Sequence, residues 1–424
     1  MSIYITFFIL LSMLTSLLAV RWIFFKVLKI AKEKNLVDNP DARKLQKSPI
    51  PLVGGIAVFF GVVFGLLVGV SLFFLCNHFF CLECPDFSMA RLLPIVLAMS
   101  VMLYAGAIDD ILGLTPMARF VIEILVVLGV VFSTGTCVDS LHGLWGMSAF
   151  PWWLAVPLTV FAGVGIINSV NMVDGVNGLS SGLCMVCSFL FGAVFVSVGD
   201  YANALLAFVM SAALLPFLVH NVFGNTSRMF IGDAGTMVMG MLMAWFVISA
   251  LHSATPLLPY AGDYCIVALV FAVLAVPVSD TLRVMAMRIL RGKSPFSPDR
   301  THLHHAFVAI GVSHSITALS EICINLLVVL SWYFSVALGA PKQCQLYVVV
   351  LVAVFLVWGT YFFLEHERSS NSRKARWLRS FSPKTHFGSR EWWQRISFFL
   401  DSPEYSEHER KNLRERLERK FMNG

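Results

Sequence analysis

Charged residues are scarce in this 424-residue sequence, which is 13% Asp, Glu, Lys and Arg, 58% hydrophobic, and contains 36 phenylalanines. A soluble protein of this length has no use for so much apolar surface, so the composition excludes the soluble globular classes. The phosphate-binding loop G-x-x-x-x-G-K-[ST] and the metalloprotease motif H-E-x-x-H are also missing, which removes two common catalytic designs. The sequence therefore indicates a protein embedded in a membrane.

Apolar segments long enough to cross a bilayer recur along the chain. We predict eleven, near residues 3–25, 51–75, 91–108, 117–134, 151–168, 179–198, 202–219, 234–251, 263–282, 316–337 and 345–364. The predicted fold is therefore all-α: a polytopic integral membrane helical bundle of about 11 transmembrane helices.

Basic residues are almost absent from every second loop. The segments 26–50, 283–305 and 365–424 hold seven, five and fourteen Lys and Arg, whereas 76–90, 134–150, 198–202, 251–262 and 338–344 hold one between them. Because basic loops stay in the cytoplasm, we predict a periplasmic N terminus and a cytoplasmic C terminus. The net charge of +6 then reflects topology and contact with the lipid bilayer, and we expect no nucleic acid partner.

The least hydrophobic loops all fall on the predicted cytoplasmic side. They are DNPDARKLQKSPIPLVGG (38–55), IDDILGLTP (108–116), NSVNMVDGVNGLSSG (168–182), HNVFGNTSRMFIGDAGT (220–236) and RGKSPFSPDRTHLHHAF (291–307). A scaffold would scatter its polar residues, so this convergence favours an active site at a membrane surface. A transporter is the alternative, although transporter carboxylates typically lie near the middle of the bilayer.

Two adjacent aspartates, Asp109 and Asp110, end an apolar run, where like charges repel strongly unless something compensates them. A divalent cation would remove the repulsion, and carboxylate oxygens favour Mg²⁺, or Mn²⁺ as a substitute, over zinc. Asp233 is the third candidate ligand. Its position at the mouth of a span is also compatible with a helix N-cap.

The other polar loops supply candidate substrate contacts. Asn168, Asn171, Asp174 and Asn177 recur every three residues, which on a helix would form one polar stripe. Lys44 lies in a basic loop suited either to phosphate or to anionic lipid. Arg300 precedes His302, His304 and His305, whose spacing is not that of a structural zinc site and is more typical of donors to phosphate or sugar.

Five motifs in order make the chain resemble the polyprenyl-phosphate N-acetylhexosamine-1-phosphate transferases over roughly residues 1–365. They are ARKLQKSPIPLVGG (42–55), AIDDILGL (107–114), NSVNMVDGVNGL (168–179), FIGDAGT (230–236) and SPFSPDRTHLHH (294–305). The last is most similar to the branch that uses N-acetylglucosamine (GlcNAc). The resemblance implies transfer of GlcNAc-1-phosphate from UDP-GlcNAc to undecaprenyl phosphate, the first membrane step of O-antigen, enterobacterial common antigen or a related glycan. Another UDP-N-acetylhexosamine is the alternative donor.

The resemblance also implies roles for individual residues. It assigns catalysis to Asp109, Asp110, Asp174, Asp233 and His302, with Mg²⁺ at Asp109, Asp110 and Asp233. Substrate contacts are implied for Lys44, Asn168, Asn171, Asn177, Arg300, His304 and His305. Gly113 and Asn177 stand where the branch often has aspartate, so neither of those carboxylates is expected to be indispensable.

The chain divides into a transmembrane catalytic domain, 1–365, with five cytoplasmic loops, and a basic cytoplasmic tail, 366–424. Ser402 and Pro403 predict the start of a C-terminal helix in the tail. A disulfide among Cys76, Cys81 and Cys84 is one alternative in the predicted external loop. The oligomeric state stays open, with a homodimer as one alternative.

Overall fold

The computed structural model describes residues 3–38, 49–79, 89–147, 149–252, 264–295, 301–368, 373–380 and 391–404. Its first ten helices are α1 Ile3–Glu33, α2 Gly54–Phe79, α3 Met89–Leu112, α4 Pro116–Thr134, α5 Trp152–Met172, α6 Leu179–Ser197, α7 Tyr201–Phe223, α8 Gly232–Ala250, α9 Ile266–Val273 and α10 Ala275–Leu290. Six more follow: α11 Leu303–Ile310, α12 His314–Ala337, α13 Lys342–Ala353, α14 Gly359–Arg368, α15 Arg373–Arg379 and α16 Glu391–Asp401.

Short irregular elements complete this list. A π-helical turn, Val354–Trp358, joins α13 to α14, and a 3₁₀ turn, Ser402–Glu404, follows α16. Two short strands, β1 Val37–Asp38 and β2 Ile50–Pro51, pair antiparallel with Val37 opposite Pro51.

The prediction of a polytopic all-α bundle is confirmed. Within the described residues, ten helices or continuous helical segments are long and apolar enough to cross a membrane, and α9 with α10 passes the same test as a pair bent by 79°. Each of the eleven predicted spans therefore has a counterpart. Helix α8 is almost entirely buried and packs against α2, α3 and α5, which places its first residues at the centre of one end of the bundle.

The ninth span, predicted as one helix over 263–282, is broken after Val273. Pro277 lies four residues later, and a proline ring clashes with the carbonyl group four positions before it. Asn325 of α12 compensates the broken backbone: its side chain donates to the Val273 carbonyl at 2.9 Å and accepts from the Val276 amide at 3.0 Å. This pairing satisfies groups that would otherwise be costly to leave unpaired in lipid.

The first turn of α4 has a well-defined start. Thr115 caps it, with its side-chain oxygen accepting from the Ala118 amide at 3.2 Å, and Pro116 follows at the first helical position, where proline loses no helical hydrogen bond. The α3–α4 connection is therefore short and fixed. It places Arg119, in the first turn of α4, beside the end of α3.

The predicted tail helix starting at Ser402 falls largely outside the described residues. Ser402 itself donates to the Phe399 carbonyl at 2.8 Å, so it makes the last contact of α16 within the described residues. The disulfide prediction also lies beyond what the structure describes: Cys76 is buried near the end of α2, while Cys81 and Cys84 fall in the gap 80–88.

Candidate active site

Asp110 holds the first turn of α8. Its Oδ1 accepts from the Asp233 amide at 2.9 Å and its Oδ2 accepts from the Ala234 amide at 3.1 Å. A carboxylate at the positive end of a helix is favourable, because the first amides of a helix have no partner within it. The alternative interpretation of Asp233 as a helix N-cap is wrong, since Asp110 supplies that contact from α3. Asp233 instead lies in the first turn of α8, with its side chain available for other partners.

A glycine lets the two helices approach this closely. A Cβ atom placed on Gly106 would lie 2.4 Å from the Cα of Ala234 and 2.5 Å from its amide nitrogen, distances that a real side chain does not tolerate. Gly106 is one helical turn before Asp109 and Asp110. The close packing of α3 on α8 therefore fixes where those two aspartates lie relative to Asp233.

Arg119 lies among three carboxylates. Its Nη1 is 3.3 Å from Asp109 Oδ2 and 3.5 Å from Asp233 Oδ1, and its Nε donates to Glu123 Oε1 at 3.2 Å. Its other terminal nitrogen, Nη2, is buried without a hydrogen-bond partner among the described residues. Asp233 keeps 35% of its side chain accessible. The cluster thus combines converging acidic groups with one unsatisfied guanidinium donor.

Two asparagines of α5 orient this carboxylate cluster. Asn171 Nδ2 donates to Asp233 Oδ1 at 2.5 Å and to Thr236 Oγ1 at 2.6 Å, while Asn168 Nδ2 donates to Glu123 Oε2. Both asparagines were predicted as substrate contacts. In the structure their amide donors contact protein carboxylates, which fixes the rotamers of those groups.

The predicted polar stripe does not continue as a helix. Helix α5 ends at Met172, and Gly178 has a φ of 81°, a conformation that favours glycine. Asp174 and Asn177 therefore lie in the turn between α5 and α6. The Asn177 backbone amide donates weakly to His314 Nδ1 at 3.5 Å.

Asp174 lies in the turn between α5 and α6 with more than a third of its surface accessible. The protein atoms around its carboxyl group displace part of the water that would hydrate the charged form, which raises the pKa of that group to about 6, although Ser180 Oγ donates to Oδ1 at 2.5 Å. Asp174 therefore titrates much closer to neutrality than an ordinary aspartate.

Ser180 belongs to GLSSG, residues 178–182, whose letters also fit the nucleophile motif G-x-S-x-G. That motif requires an exposed serine on a sharp turn between a strand and a helix. Here Ser180 is buried in the first turn of α6 and donates to Asp174. A serine nucleophile at this position is excluded by the fold.

The histidines form a separate, buried cluster. His302 Nδ1 lies 2.8 Å from Asp280 Oδ2, and Arg283 donates to Asp280 Oδ1 through two nitrogens, at 2.7 and 3.1 Å. The Leu303 amide also contacts Asp280, at 3.2 Å from each oxygen. Asp280 thus fastens the start of α11 to α10.

His304 connects this histidine cluster to the turn that carries Asp174. Its ring stacks near His302, with centroids 5.7 Å apart, and also lies 4.3 Å from the His305 ring. A Cβ atom on Gly175 would lie 2.2 Å from His304 Nε2. Burial lowers the pKa of His304 well below its usual value, so the ring is neutral at physiological pH. His304 and Asp174 therefore flank the same short turn.

Two predicted site residues, Lys44 and Arg300, lie in the gaps 39–48 and 296–300, outside the described residues. The described end of the first polar loop nevertheless reaches the site. The Gly54 amide donates to the Phe230 carbonyl at 3.0 Å, the Gly55 amide to the Ile231 carbonyl at 2.9 Å, and Phe230 donates back to Pro51 at 2.8 Å. All five predicted polar loops therefore contribute to one end of the bundle.

Comparison with known proteins assigns the chain to a family. Over 295 residues it is 32% identical to the undecaprenyl-phosphate alpha-N-acetylglucosaminyl 1-phosphate transferase of Salmonella typhi, covering 68% of this chain and 73% of that one. The Escherichia coli (strain K12) protein of the same name is 31% identical over 291 residues, covering 67% and 72%. A probable undecaprenyl-phosphate N-acetylglucosaminyl 1-phosphate transferase of Bacillus subtilis is 27% identical over 350 residues, covering 82% and 89%. The model of glycosyl transferase family 4 matches residues 92–251.

The chain belongs to glycosyl transferase family 4. It is therefore a multi-pass membrane enzyme of the phosphotransferase class, and the transporter alternative is set aside. The matched segment contains the α3 aspartates, Arg119 and Asp233. The carboxylate cluster thus lies within the part of the chain that defines the family.

The carboxylate cluster of this transferase fits a divalent cation by its chemistry. Carboxyl groups of Asp109, Glu123 and Asp233 lie around Arg119, the one cation that the described residues place in hydrogen-bonding contact with them. Asp110 lies beside Asp233, whose backbone amide donates to it. Asp109 and Asp233 already converge on one positively charged group. Their hard oxygen ligands suit Mg²⁺ or Mn²⁺, whereas both Asp110 oxygens are engaged with α8 and retain only a further lone pair each.

Among the described residues, one group of three potential metal ligands has closely spaced ligand atoms, and it does not include the aspartates of the carboxylate cluster. Cys137, Asp139 and His252 have ligand atoms within 4.8 Å of one another. They follow the far ends of α4 and α8, so they lie at the opposite end of the bundle from the carboxylate cluster. Their soft and borderline donor set differs from the all-oxygen set around Arg119.

Several residues of this transferase's site had no assigned role in the sequence. Arg119 and Glu123 sit four residues apart in an apolar run, and Asp280 and Arg283 sit three apart in another. Ionisable residues within a span are costly and therefore indicate function or pairing. That signal marks all four residues. It does not identify their partners, because Asp109, Asn168, Asp233 and His302 come from other elements.

Proposed function

We propose that this transferase moves GlcNAc-1-phosphate from UDP-GlcNAc to undecaprenyl phosphate, giving undecaprenyl-diphospho-GlcNAc and UMP. The names of its relatives support the substrates. The observation in the structure that carries the proposal is the convergence of Asp109 and Asp233 on Arg119, whose Nη2 has no hydrogen-bond partner in the part of the chain that the structure describes. Such a group is suited to a donor diphosphate, because guanidinium binds phosphate oxygens strongly.

In the proposed reaction an oxygen of the lipid phosphate attacks the β-phosphorus of UDP-GlcNAc. A new P–O bond forms as the bond from that phosphorus to the bridging oxygen breaks, and UMP leaves with the electron pair. A phosphate monoester has its second pKa near 6, so the attacking group is largely a dianion at neutral pH and needs little help from a base. Positioning and charge stabilisation then supply most of the catalysis.

The chain's own side chains provide that positioning. Asp110 fixes the first turn of α8, and Asn171 orients Asp233. Glu123 accepts hydrogen bonds from Arg119 and from Asn168, and so links α4 to α5. Asp109 and Asp233, with Asp110 as the third predicted ligand, would hold Mg²⁺, which when bound supplies positive charge against the donor diphosphate. Arg119 Nη2, buried without a hydrogen-bond partner among the described residues, would donate to a phosphate oxygen of the bound donor. Asp174, in the turn between α5 and α6, is proposed to contact the uridine or a phosphate.

The decisive experiment is UMP release by the purified protein. The proposal expects release only when UDP-GlcNAc, a polyprenyl phosphate and Mg²⁺ are all present. A panel of UDP-GlcNAc, UDP-GalNAc, a UDP-6-deoxyhexosamine and UDP-MurNAc-pentapeptide then identifies the donor. UMP release with another of these sugars would keep the reaction class and overturn the GlcNAc assignment, whereas no release with any of them would overturn the proposal.

A direct displacement also excludes a phosphosugar covalently attached to the protein. Incubation with radiolabelled donor in the absence of lipid acceptor should leave no label on the denatured protein. Stable labelling at an aspartate would overturn the single-step mechanism while leaving the overall reaction intact.

We further propose that the site faces the cytoplasm of the bacterial inner membrane, as the distribution of basic loops predicts. Cys344, an exposed residue at the start of α13, would then face the periplasm. In a variant that keeps Cys344 as its one cysteine, an impermeant maleimide added to intact spheroplasts should label the protein, and the further change Cys344→Ser should abolish that label. Labelling that requires permeabilisation would reverse the orientation.

A further inference from the structure

The tail helix α16 is hydrogen-bonded to the loop that leads to Asp233. The carboxylate of Asp401 accepts backbone amides from three consecutive residues, Asn225, Thr226 and Ser227, at 3.0 to 3.3 Å. The Ser227 hydroxyl also donates to it at 2.6 Å. Successive backbone amides converging on one carboxylate form an anion-binding nest. Asp401 is fully buried in this contact.

Two further contacts between α16 and this region lie along the same helix. Asn225 Nδ2 donates to Ser397 Oγ at 2.8 Å, and the Trp393 ring lies 4.5 Å from the ring of Phe223. Trp393, Ser397 and Asp401 are spaced four residues apart, so they share one face of the helix. This face covers the end of α7 and the segment 225–227.

The segment 225–227, which contacts Asp401, is only a few residues from Asp233 of the carboxylate cluster. Phe230 pairs with the β2 strand through Pro51, and α8 begins at Gly232, immediately before Asp233. Lys32 of α1 also donates to the Thr226 carbonyl at 2.7 Å. The position of the 224–231 loop is therefore set from both sides, by the bundle and by α16.

The opposite face of α16 is apolar and exposed. Trp392, Ile396 and Phe399 retain 43%, 37% and 65% of their surface, and their spacing of four and three residues makes one continuous stripe. Phe223, which Trp393 contacts, is the last residue of an apolar span. The helix that carries the stripe therefore packs against the end of that span.

The described tail helices also expose basic side chains. Arg395 is exposed on α16, and the short helix α15 exposes Arg373, Lys374 and Arg376 together with Trp377. Helices with exposed aromatic and basic residues are typical of the headgroup region of a membrane. A lipid bilayer containing anionic headgroups therefore suits the apolar stripe of α16 and the basic residues of the tail.

We propose that α16 is a membrane-surface helix which, through Asp401, holds the 224–231 loop in place and so positions Asp233. Binding of one face to lipid leaves the other face ordered against the loop. Asp401 is then a positioning residue, distant from the reacting atoms. The catalytic consequence rests on the proposed function, but the contact and the lipid binding do not.

The contact is tested by Asp401→Asn in the full-length protein in lipid nanodiscs. Removing the charge weakens a carboxylate that accepts four hydrogen bonds, and loss of a charged hydrogen bond corresponds to roughly a tenfold or larger change in an equilibrium. Hydrogen exchange at residues 225–231 should accelerate by about that factor. Glu365→Gln, which removes an exposed carboxylate near the end of α14 paired with Arg368, is the matched control and should leave exchange unchanged. Unaltered hydrogen exchange at residues 225–231 in Asp401→Asn would overturn the proposal that Asp401 holds the loop in place.

A catalytic readout separates positioning from general destabilisation. Asp401→Asn should raise the Mg²⁺ concentration for half-maximal UMP release several-fold while the thermal midpoint of the bundle stays at the control value. An unchanged Mg²⁺ requirement with accelerated exchange would confine Asp401 to a structural role and overturn the positioning part. If wild-type protein releases no UMP at all, the proposed function fails, while the exchange result still decides the contact.

Lipid contact is tested by placing the photo-crosslinking residue p-benzoylphenylalanine at Phe399, in nanodiscs that contain anionic lipid. Mass spectrometry should find lipid adducts there, as it should at Phe161, an exposed residue of span α5, which serves as the positive control. Adducts to a second copy of the chain, or no lipid adduct at residue 399 when residue 161 yields one, would overturn the membrane assignment.

Discussion

Two polar clusters lie at the same end of this transferase and differ in accessibility. In the carboxylate cluster, Asp109 and Asp233 converge on Arg119 at 3.3 and 3.5 Å, and Asp233 remains partly exposed. In the histidine cluster, Arg283 and Asp280 are closed off from solvent and only 2.7 Å apart. The first has an acidic excess and a partly exposed carboxylate, whereas the second has oppositely charged groups in close contact away from solvent. In each cluster one terminal guanidinium nitrogen is buried without a hydrogen-bond partner among the described residues. Unpaired charge with access to solvent is suited to binding a ligand, and closely paired buried charge is suited to fixing a fold.

The largest expected effect is on the carboxylate cluster itself. Asp233→Asn and Asp110→Asn should each lower turnover by about 10²- to 10³-fold, because each removes an electrostatic or positioning group at the site of charge development. Higher Mg²⁺ should restore part of the activity of a variant whose metal binding is only weakened. Asp139→Asn, at the opposite end of the bundle, is the control for loss of an aspartate. Undiminished turnover in both site variants would remove the metal assignment.

The spacing between α3 and α8 comes next. Gly106→Ala introduces a methyl group 2.4 Å from backbone atoms of Ala234, so α3 must move and carry Asp109 and Asp110 away from Asp233. A displacement near 1 Å can cost about 100-fold in turnover. Gly129→Ala in α4, which meets no atom within 4 Å, should leave UMP release unchanged. Equal activity of the two alanine variants would show that the close approach is not required.

The histidine cluster should respond in stability. Asp280→Asn leaves the Arg283 guanidinium buried with its anionic partner removed, which typically costs about 3–5 kcal/mol. The thermal midpoint in detergent should fall markedly. By contrast, Glu365→Gln breaks an exposed 3.5 Å pair with Arg368, worth about 0–1 kcal/mol. Similar midpoints for both variants would show that the buried pair is no more important to stability than the exposed one.

The smallest effect concerns Asp174 and pH. Because its pKa is raised from 3.8 to about 6, the folded protein binds this proton more tightly than the unfolded chain does. The resulting stabilisation is complete below the unfolded value and is lost as the pH rises through 6. Asp174→Asn should therefore become more stable than wild type above pH 6, and the difference should shrink toward pH 4. Thermal midpoints measured across this range test it, and a difference independent of pH would contradict the raised pKa.

The membrane class, the eleven spans and the polar loops followed from the sequence, because hydropathy and residue spacing are local properties. The same locality explains the errors. The ninth span reads as one apolar run, yet Pro277 breaks it, and Asn325 from a distant helix makes the break tolerable. The asparagine stripe reads as helical through Asn177, but α5 ends at Met172.

The sequence by itself determined which residue types are available to the candidate site: adjacent aspartates at a helix end, a third aspartate at the start of another span, and basic residues concentrated in alternate loops. Only the tertiary structure decided how they are used. Asp110 caps α8 from 123 positions away, Arg119 joins Asp109 to Asp233, and Asp401 reaches a loop 174 positions earlier. Contacts at such separations depend on helix packing, because side chains far apart in sequence meet only where small residues such as Gly106 let helices approach.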